Sequence, residues 1–240
     1  MADAAQEAGF LDNLQQSWPF PTPLSGCTLV SARFTEQAVS PELFEHYAVA
    51  IPSAALKRQA EFLAARLCAR EALRIQMGHP SIPTQQANNR APLWPQYSCG
   101  SMSHSHSLCA AIVGDNAHWQ GLGLDLEKPV SSQRAQRVAK TILTLDEYSI
   151  YSRLDEVTAA MYLTLVFSFK ESLFKALNPL TGTYFGFSDA QVLDLVVAEQ
   201  GHARLRLRKD LSTQWRAGDE LLGQFSFMHG SALTLVGVAA

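Results

Sequence analysis

From about Asp155 to Asn178 the chain carries a long helical pattern, running through MYLTLVFSFKESLFKAL to an expected break at Asn178-Pro179. At 1.5 Å per residue such a helix is roughly 36 Å long. Val166, Phe169, Leu173 and Leu177 give it an apolar side that must be covered by another layer. A second helical stretch, residues 53–77 (SAALKRQAEFLAARLCAREALRIQM), makes the same demand. Ala55, Phe62, Leu63, Leu67, Leu73 and Met77 contribute its apolar face, and Gly78 followed by Pro80 stops it. Strand patterns surround both helices. CTLVSARF opens the first group, and SMSHSHSLCAAIVG reads as one strand that starts by alternating and turns apolar. After a short turn containing DNAHW, GLGLDLE reads as its hairpin partner, and FSDAQVLDLVV, HARLRLRKD, ELLGQFSFMHG and SALTLVGVAA follow the second helix. The fold class is therefore α+β, with strands around one prominent helix in each half. The expected division is a weakly structured lead-in at 1–26, punctuated by SWPFPTPLSG, an N-terminal half at 27–120 and a C-terminal half at 121–240.

Composition narrows the function classes. Apolar residues make up 47% and charged residues 17%, enough for a sizeable core. Nineteen Lys+Arg against 22 Asp+Glu give a formal charge of −3, which argues against a general nucleic-acid binder. The four cysteines (Cys27, Cys68, Cys99, Cys109) have no metal-type spacing, and three sit among apolar or small neighbours, as buried free thiols of a reducing compartment do. No Lys or Arg precedes Arg33, so the N-terminus does not read as a signal peptide. No unbroken apolar run approaches the ~18 residues of a membrane span. The expected location is cytoplasmic, without a membrane partner.

Three stretches carry candidate chemistry. In GLGLDLE, residues i and i+2 share a strand face. Leu122, Leu124 and Leu126 therefore point one way and Gly121, Gly123, Asp125 and Glu127 the other. Two carboxylates so spaced can converge on a hard cation such as Mg²⁺, which takes oxygen ligands and keeps waters for a phosphate. A solvated polar face is the alternative, and the glycines weaken it because a strand glycine often marks close approach by backbone or ligand. In FSFKESLFKAL, Ser168, Glu171, Ser172 and Lys175 fall on one helical stripe, with Glu171 and Lys175 as an i,i+4 pair. In GSMSHSHS, His104 and His106 share a face with Met102 and Leu108, opposite Ser101, Ser103, Ser105 and Ser107. A hydrogen-bonded histidine, a zinc ligand pair and a phosphate contact are all open there. The first helix adds Lys57, Arg58, Arg66, Arg70 and Arg74, a solvated face or a set of grips for an anion. Thr144, with Glu147 three residues on, offers a capping box.

The order KRQAEFLAARLCAREAL, RAPLWP, GSMSHS, GLDLE and FSFKESLFK resembles that of the Sfp-type 4′-phosphopantetheinyl transferases, in the branch of the enterobactin synthetase component D and the pseudomonad broad-range enzymes. The resemblance spans roughly residues 18–235. It implies two similar α+β subdomains in a pseudo-twofold arrangement, with coenzyme A in the cleft between them. It implies transfer of the phosphopantetheine arm to a serine of an apo carrier protein (acyl, peptidyl or aryl), with release of adenosine 3′,5′-bisphosphate and dependence on Mg²⁺ or Mn²⁺. By the same resemblance Asp125, Glu127 and Glu171 hold the metal, and Glu171 also serves as base. Lys175 contacts the pyrophosphate, and Lys170, which precedes the glutamate as in relatives, is a further coenzyme A-binding residue. Ser103 and His104 touch the coenzyme A phosphates, and Arg90 lies near the nucleotide. Arg58 and Arg66 come from the region that holds the 3′-phosphate, Arg66 being preferred. His104 and Lys175 offset charge on the leaving group. Arg134, Arg137 and Lys140 with Ile142 and Leu143 form a candidate carrier-docking face, and a monomer suffices for such a site. A Mg²⁺-dependent phosphoester hydrolase of coenzyme A or nucleotides, and a non-catalytic carrier- or coenzyme A-binding module, are the rival readings.

Overall fold

The structure, a computed structural model, describes residues 9–86 and 91–240. Arg90 falls outside the described residues. The chain forms two compact units, one of residues up to Trp18 with Gly26–Asp115 and the other of Pro19–Ser25 with Asn116–Ala240.

The first unit is an antiparallel sheet in the order β1 (Leu11–Gln16), β2 (Cys27–Phe34), β6 (Leu108–Asp115), β5 (Ser98–Ser105). A short helix α1 (Pro41–His46) and the long α2 (Leu56–Met77) follow β2. β3 (Thr84–Gln85) and β4 (Pro92–Leu93) form a separate small ladder. The lead-in, where weak structure is expected, carries a paired strand: Leu11–Gln16 runs along β2, Leu11 opposite Phe34 and Gln16 opposite Val30. α2 buries Ala60, Leu63, Ala64, Leu67, Cys68, Ala72 and Leu73 in a core shared with Val30, Ala32, Ala111 and Val113. Its alanines bring the helix close to the sheet, and each buried leucine contributes about 1.5–3 kcal/mol by leaving water. Gly78 ends it in the left-handed region (φ 80°), its N–H donating to the Arg74 carbonyl at 3.0 Å.

SMSHSHSLCAAIVG is not one strand. The chain reverses at His106-Ser107, His106 taking φ 56°, and β5 pairs with β6 from Ser98↔Asp115 to Ser105↔Leu108. His106 therefore leaves the face it would share with His104 and lies in the turn, its Nδ1 3.3 Å from the Ser105 hydroxyl. The apolar second half of the stretch is β6, one of the two inner strands of this sheet.

The second unit is an antiparallel sheet in the order β7 (Trp119–Glu127), β11 (Ser231–Ala239), β10 (Glu220–Met228), β9 (Gln200–Leu207), β8 (Ala190–Leu193). β7 takes β11 as its neighbour, not β6, because Gly121 to Glu127 run alongside Val238 to Ala232. Three α-helices separate β7 from β8: α3 (Ser132–Ile142), α4 (Leu145–Tyr151) and α5 (Glu156–Thr181). The Asp155 carboxylate caps α5 by accepting from the Val157 and Thr158 N–H groups, each at 3.1 Å. α5 runs past Asn178-Pro179 for one more turn. Pro179 removes a single hydrogen bond near the end, and the turn still closes through the Gly182 N–H on the Asn178 carbonyl at 2.8 Å. By length and composition α5 could cross a membrane, but 67% of its most apolar stretch is buried within the protein, so it reads as a core helix. Phe169 meets Phe225 edge to face, ring centroids 6.1 Å apart, over the bare surface of Gly223.

The segment Pro19–Ser25 lies on this sheet. The Thr22 N–H donates to the Gln224 side-chain oxygen at 2.8 Å, and the Gln224 amide returns a bond to the Thr22 carbonyl at 3.0 Å.

Candidate active site

The two glycines of GLGLDLE face α5. A Cβ on Gly123 would overlap the Ser172 carbonyl, and one on Gly121 would stand 2.6 Å from the Ala176 carbonyl. The close approach that the glycines imply is therefore made by helix backbone. It sets α5 so low on β7 that Ser168 and Lys175, two helical turns apart, both reach Asp125.

Asp125 is the centre of what results. It is only 4% exposed, not on a solvated face. The Lys175 ammonium donates to its Oδ1 at 2.7 Å and to the Leu124 carbonyl at 3.0 Å. The Ser168 hydroxyl donates to its Oδ2 at 2.9 Å and lies 2.8 Å from the Thr234 hydroxyl. Ser172 donates to the Thr234 carbonyl at 3.0 Å, which ties the same helix face to β11. The polar stripe of α5 thus divides by depth. Ser168 and Ser172 are buried against the sheet, and Glu171 and Lys175 stay half-buried at its rim. Ser168 is visible beforehand as a member of that stripe. Thr234 is signalled only as a polar residue inside an otherwise apolar stretch, Ala232–Ala239.

Glu127 and Glu171 share this neighbourhood. Burial, then the charge of Asp125, pushes the Glu127 carboxyl up to about 7, with Lys175 and Arg134 acting against the rise. Burial and Asp125 also raise the Glu171 carboxyl. Three part-buried acids that repel one another, all with oxygen donors, have the chemistry that a hard divalent cation requires. Among the described residues no three His, Cys, Asp or Glu side chains converge into a preassembled metal cage. The Lys175 ammonium supplies the positive charge at Asp125.

Lys170 departs from the expectation. It is 3% exposed and donates to Glu147 Oε2 at 2.7 Å and to the Ile142 and Phe187 carbonyls, both at 2.9 Å. All three ammonium hydrogens are spent inside the fold, so none is left for a cofactor. Glu147 is equally committed. It accepts from the Thr144 N–H at 2.7 Å, completing the expected capping box, and from the Val192 N–H at 2.7 Å. Burial pushes the Lys170 ammonium down, and Glu147 opposes that.

In the first unit, Arg58 NH1 reaches His104 Nε2 at 2.7 Å and Glu61 Oε2 at 3.2 Å. Ser103 and His104 are adjacent on β5 and so point to opposite faces, Ser103 being buried with Ser101 and Ser105. Arg66 is not displayed with His104. It is 6% exposed, its guanidinium lies 3.4 Å from the Phe62 ring centroid, and burial lowers it to about 10. Arg74 is held by Glu71 through two 2.7 Å bonds, and Arg70 lies over Tyr47. Of the arginines on α2, Arg58 is the one brought to His104.

Residues 46–114 match the family model described as 4′-phosphopantetheinyl transferase N-terminal domain, and residues 121–235 the one described as 4′-phosphopantetheinyl transferase superfamily. Enterobactin synthase component D of Salmonella typhimurium is 34% identical over 182 residues, covering 73% of either chain. The 4′-phosphopantetheinyl transferase Svp of Streptomyces mobaraensis is 32% identical over 200 residues, 83% of this chain and 78% of that one. The chain belongs to the 4′-phosphopantetheinyl transferase superfamily and is an enzyme of that kind. A solved holo-(acyl-carrier-protein) synthase from Bacillus anthracis, in complex with CoA (3′,5′-ADP), is 18% identical, covering 52% of this chain and 99% of that one at a TM-score of 0.31. The family assignment rests on the sequence matches.

Proposed function

We propose that this enzyme transfers the 4′-phosphopantetheine group of coenzyme A to a serine hydroxyl of an apo carrier protein. The serine oxygen attacks the phosphorus that bears the pantetheine arm, the bond from that phosphorus to the adenylate side breaks, and adenosine 3′,5′-bisphosphate leaves. Such a reaction needs positioning and charge neutralisation more than covalent help. The observation that carries the reading is the cluster at the contact of α5 with β7, where Lys175 and Asp125 lie 2.7 Å apart beside two glutamates of raised proton affinity.

Glu171 accepts the proton of the serine hydroxyl. Burial makes it a better base than a free carboxylate, which suits a weak nucleophile near neutral pH. Lys175 offsets charge gathering on the leaving group. Asp125, Glu127 and Glu171 are the residues that would hold Mg²⁺, which when bound supplies charge neutralisation on the pyrophosphate. Arg58 and His104 take coenzyme A phosphates, with Ser103 beside them in sequence.

The carrier docks on α3, where Arg134, Arg137 and Lys140 are exposed. Leu143 is core and only 8% exposed, so the apolar contact falls to Leu145, 90% exposed, and to half-buried Ile142. Basic and apolar groups together match an acidic helical partner.

Incubation with coenzyme A, Mg²⁺ and an apo carrier tests the reading through the carrier's intact mass. A phosphopantetheine adduct is the expected result. Coenzyme A cleaved without an adduct makes the protein a hydrolase, and coenzyme A left intact makes it a binding module; either overturns the reading.

A further inference from the structure

Glu61 is a buried acid on α2, and no role in the transfer has been given to it. It is 8% exposed. Its Oε2 lies 3.2 Å from Arg58 NH1 and 3.5 Å from His104 Nδ1, while the same Arg58 NH1 stands 2.7 Å from His104 Nε2. An arginine can only donate, so Nε2 is the acceptor in that bond and the ring proton of the neutral imidazole sits on Nδ1, the nitrogen turned toward Glu61. One carboxylate oxygen thus holds the arginine at 3.2 Å and lies 3.5 Å from the protonated nitrogen of the histidine.

The geometry points to Glu61 as a positioning residue that presets Arg58 and His104 as a clamp for a phosphate of the nucleotide substrate. This inference rests on the reading that these two residues meet coenzyme A. The Arg58 side chain is 62% exposed, and an unrestrained arginine pays a rotamer cost each time it is ordered on a ligand. Pinning NH1 between Glu61 and His104 removes much of that cost in advance. It also leaves the Nε and NH2 edge of the guanidinium, three N–H donors, for an oxyanion. Lys57 and Arg70 sit on the same helix but are not part of this three-residue cluster.

The test uses the full-length enzyme with coenzyme A as substrate and adenosine 3′,5′-bisphosphate as binding probe. Glu61→Met keeps the side-chain length and removes both acceptor contacts. It is expected to raise the KM for coenzyme A and the Kd of the bisphosphate about tenfold, the scale of one hydrogen bond to a charged group, with little change in kcat. Removing a buried acid for an apolar side chain should not lower the melting temperature. Glu61→Gln keeps an acceptor oxygen in place and is expected to restore KM to within about twofold of the parent. Combined with Arg58→Ala and His104→Ala, Glu61→Met should add nothing further.

The inference is overturned if Glu61→Met leaves KM and Kd unchanged, or if its effect persists undiminished when Arg58 and His104 are already gone. It is also overturned if the variant lowers kcat and stability with KM unmoved, which marks a purely structural acid. If Arg58→Ala and His104→Ala themselves leave KM and Kd unchanged, what fails is the placing of coenzyme A at these residues, and with it any clamp for Glu61 to preset.

Discussion

At the scale of single residues, burial separates charges left at the rim from charges sealed into the fold. Lys170 and Lys175 lie five positions apart on α5, yet one is sealed against Glu147 and two carbonyls and the other sits at the rim on Asp125. Lys175→Met should lower carrier modification by about 100-fold, as removal of one preorganised charge commonly does, and intact-mass rate assays would show it. Lys170→Met should instead leave the Glu147 carboxylate buried without its counter-charge. Its expected effect is a loss of about 3 kcal/mol in urea unfolding, the usual scale for breaking a buried pair, while the folded fraction keeps its KM for coenzyme A. Tyr162 supplies a contrast. Its hydroxyl is the one buried side-chain polar atom without a partner among the described residues. Tyr162→Phe therefore breaks no bond and should be neutral or stabilising by up to about 1 kcal/mol, measured by thermal melting.

At the scale of elements, the decisive contact is α5 on β7. Two glycines on the strand and two serines on the helix let the backbones approach, and the depth of that seat aims Glu171 and Lys175 toward Asp125. Gly123→Ala would drive a methyl into the Ser172 carbonyl, which is backbone and cannot move aside. A destabilisation of about 3 kcal/mol is expected, at the upper end for overpacking, together with loss of turnover out of proportion to the folded fraction. Gly186→Ala is the control. A Cβ there meets nothing within 4 Å, so its unfolding curve should overlay the parent.

At the scale of the whole molecule, a formal charge of −3 conceals a local pattern. Acidic groups collect where β7 ends, and Arg134, Arg137 and Lys140 stand exposed along α3 in the same unit. Arg134 is near enough to Glu127 to act on its titration, which links the proposed docking helix to the proposed metal carboxylates. Arg137→Glu with Lys140→Glu should raise the KM for an acidic carrier about tenfold at low salt, with the difference shrinking as salt screens the pair. The KM for coenzyme A should not move. Steady-state kinetics at two ionic strengths would check both halves of that expectation.

Periodicity alone determined the two long helices, most of the strands and the α+β class, because 3.6- and 2-residue repeats are local properties of the chain. The order of the motifs was enough to suggest the family. The glycines of GLGLDLE announced a close approach without saying what approached. Tertiary structure decided that it was the backbone of α5, since Ser172 lies 49 positions from Gly123 and no local pattern joins them. It also broke SMSHSHSLCAAIVG into a hairpin, paired β7 with β11, and turned Lys170 inward against Glu147. Whether a lysine beside a glutamate faces substrate or core depends on which carbonyls and carboxylates the rest of the chain delivers to it. Those partners come from 17 to 28 positions away, beyond the reach of any repeat within a single helix.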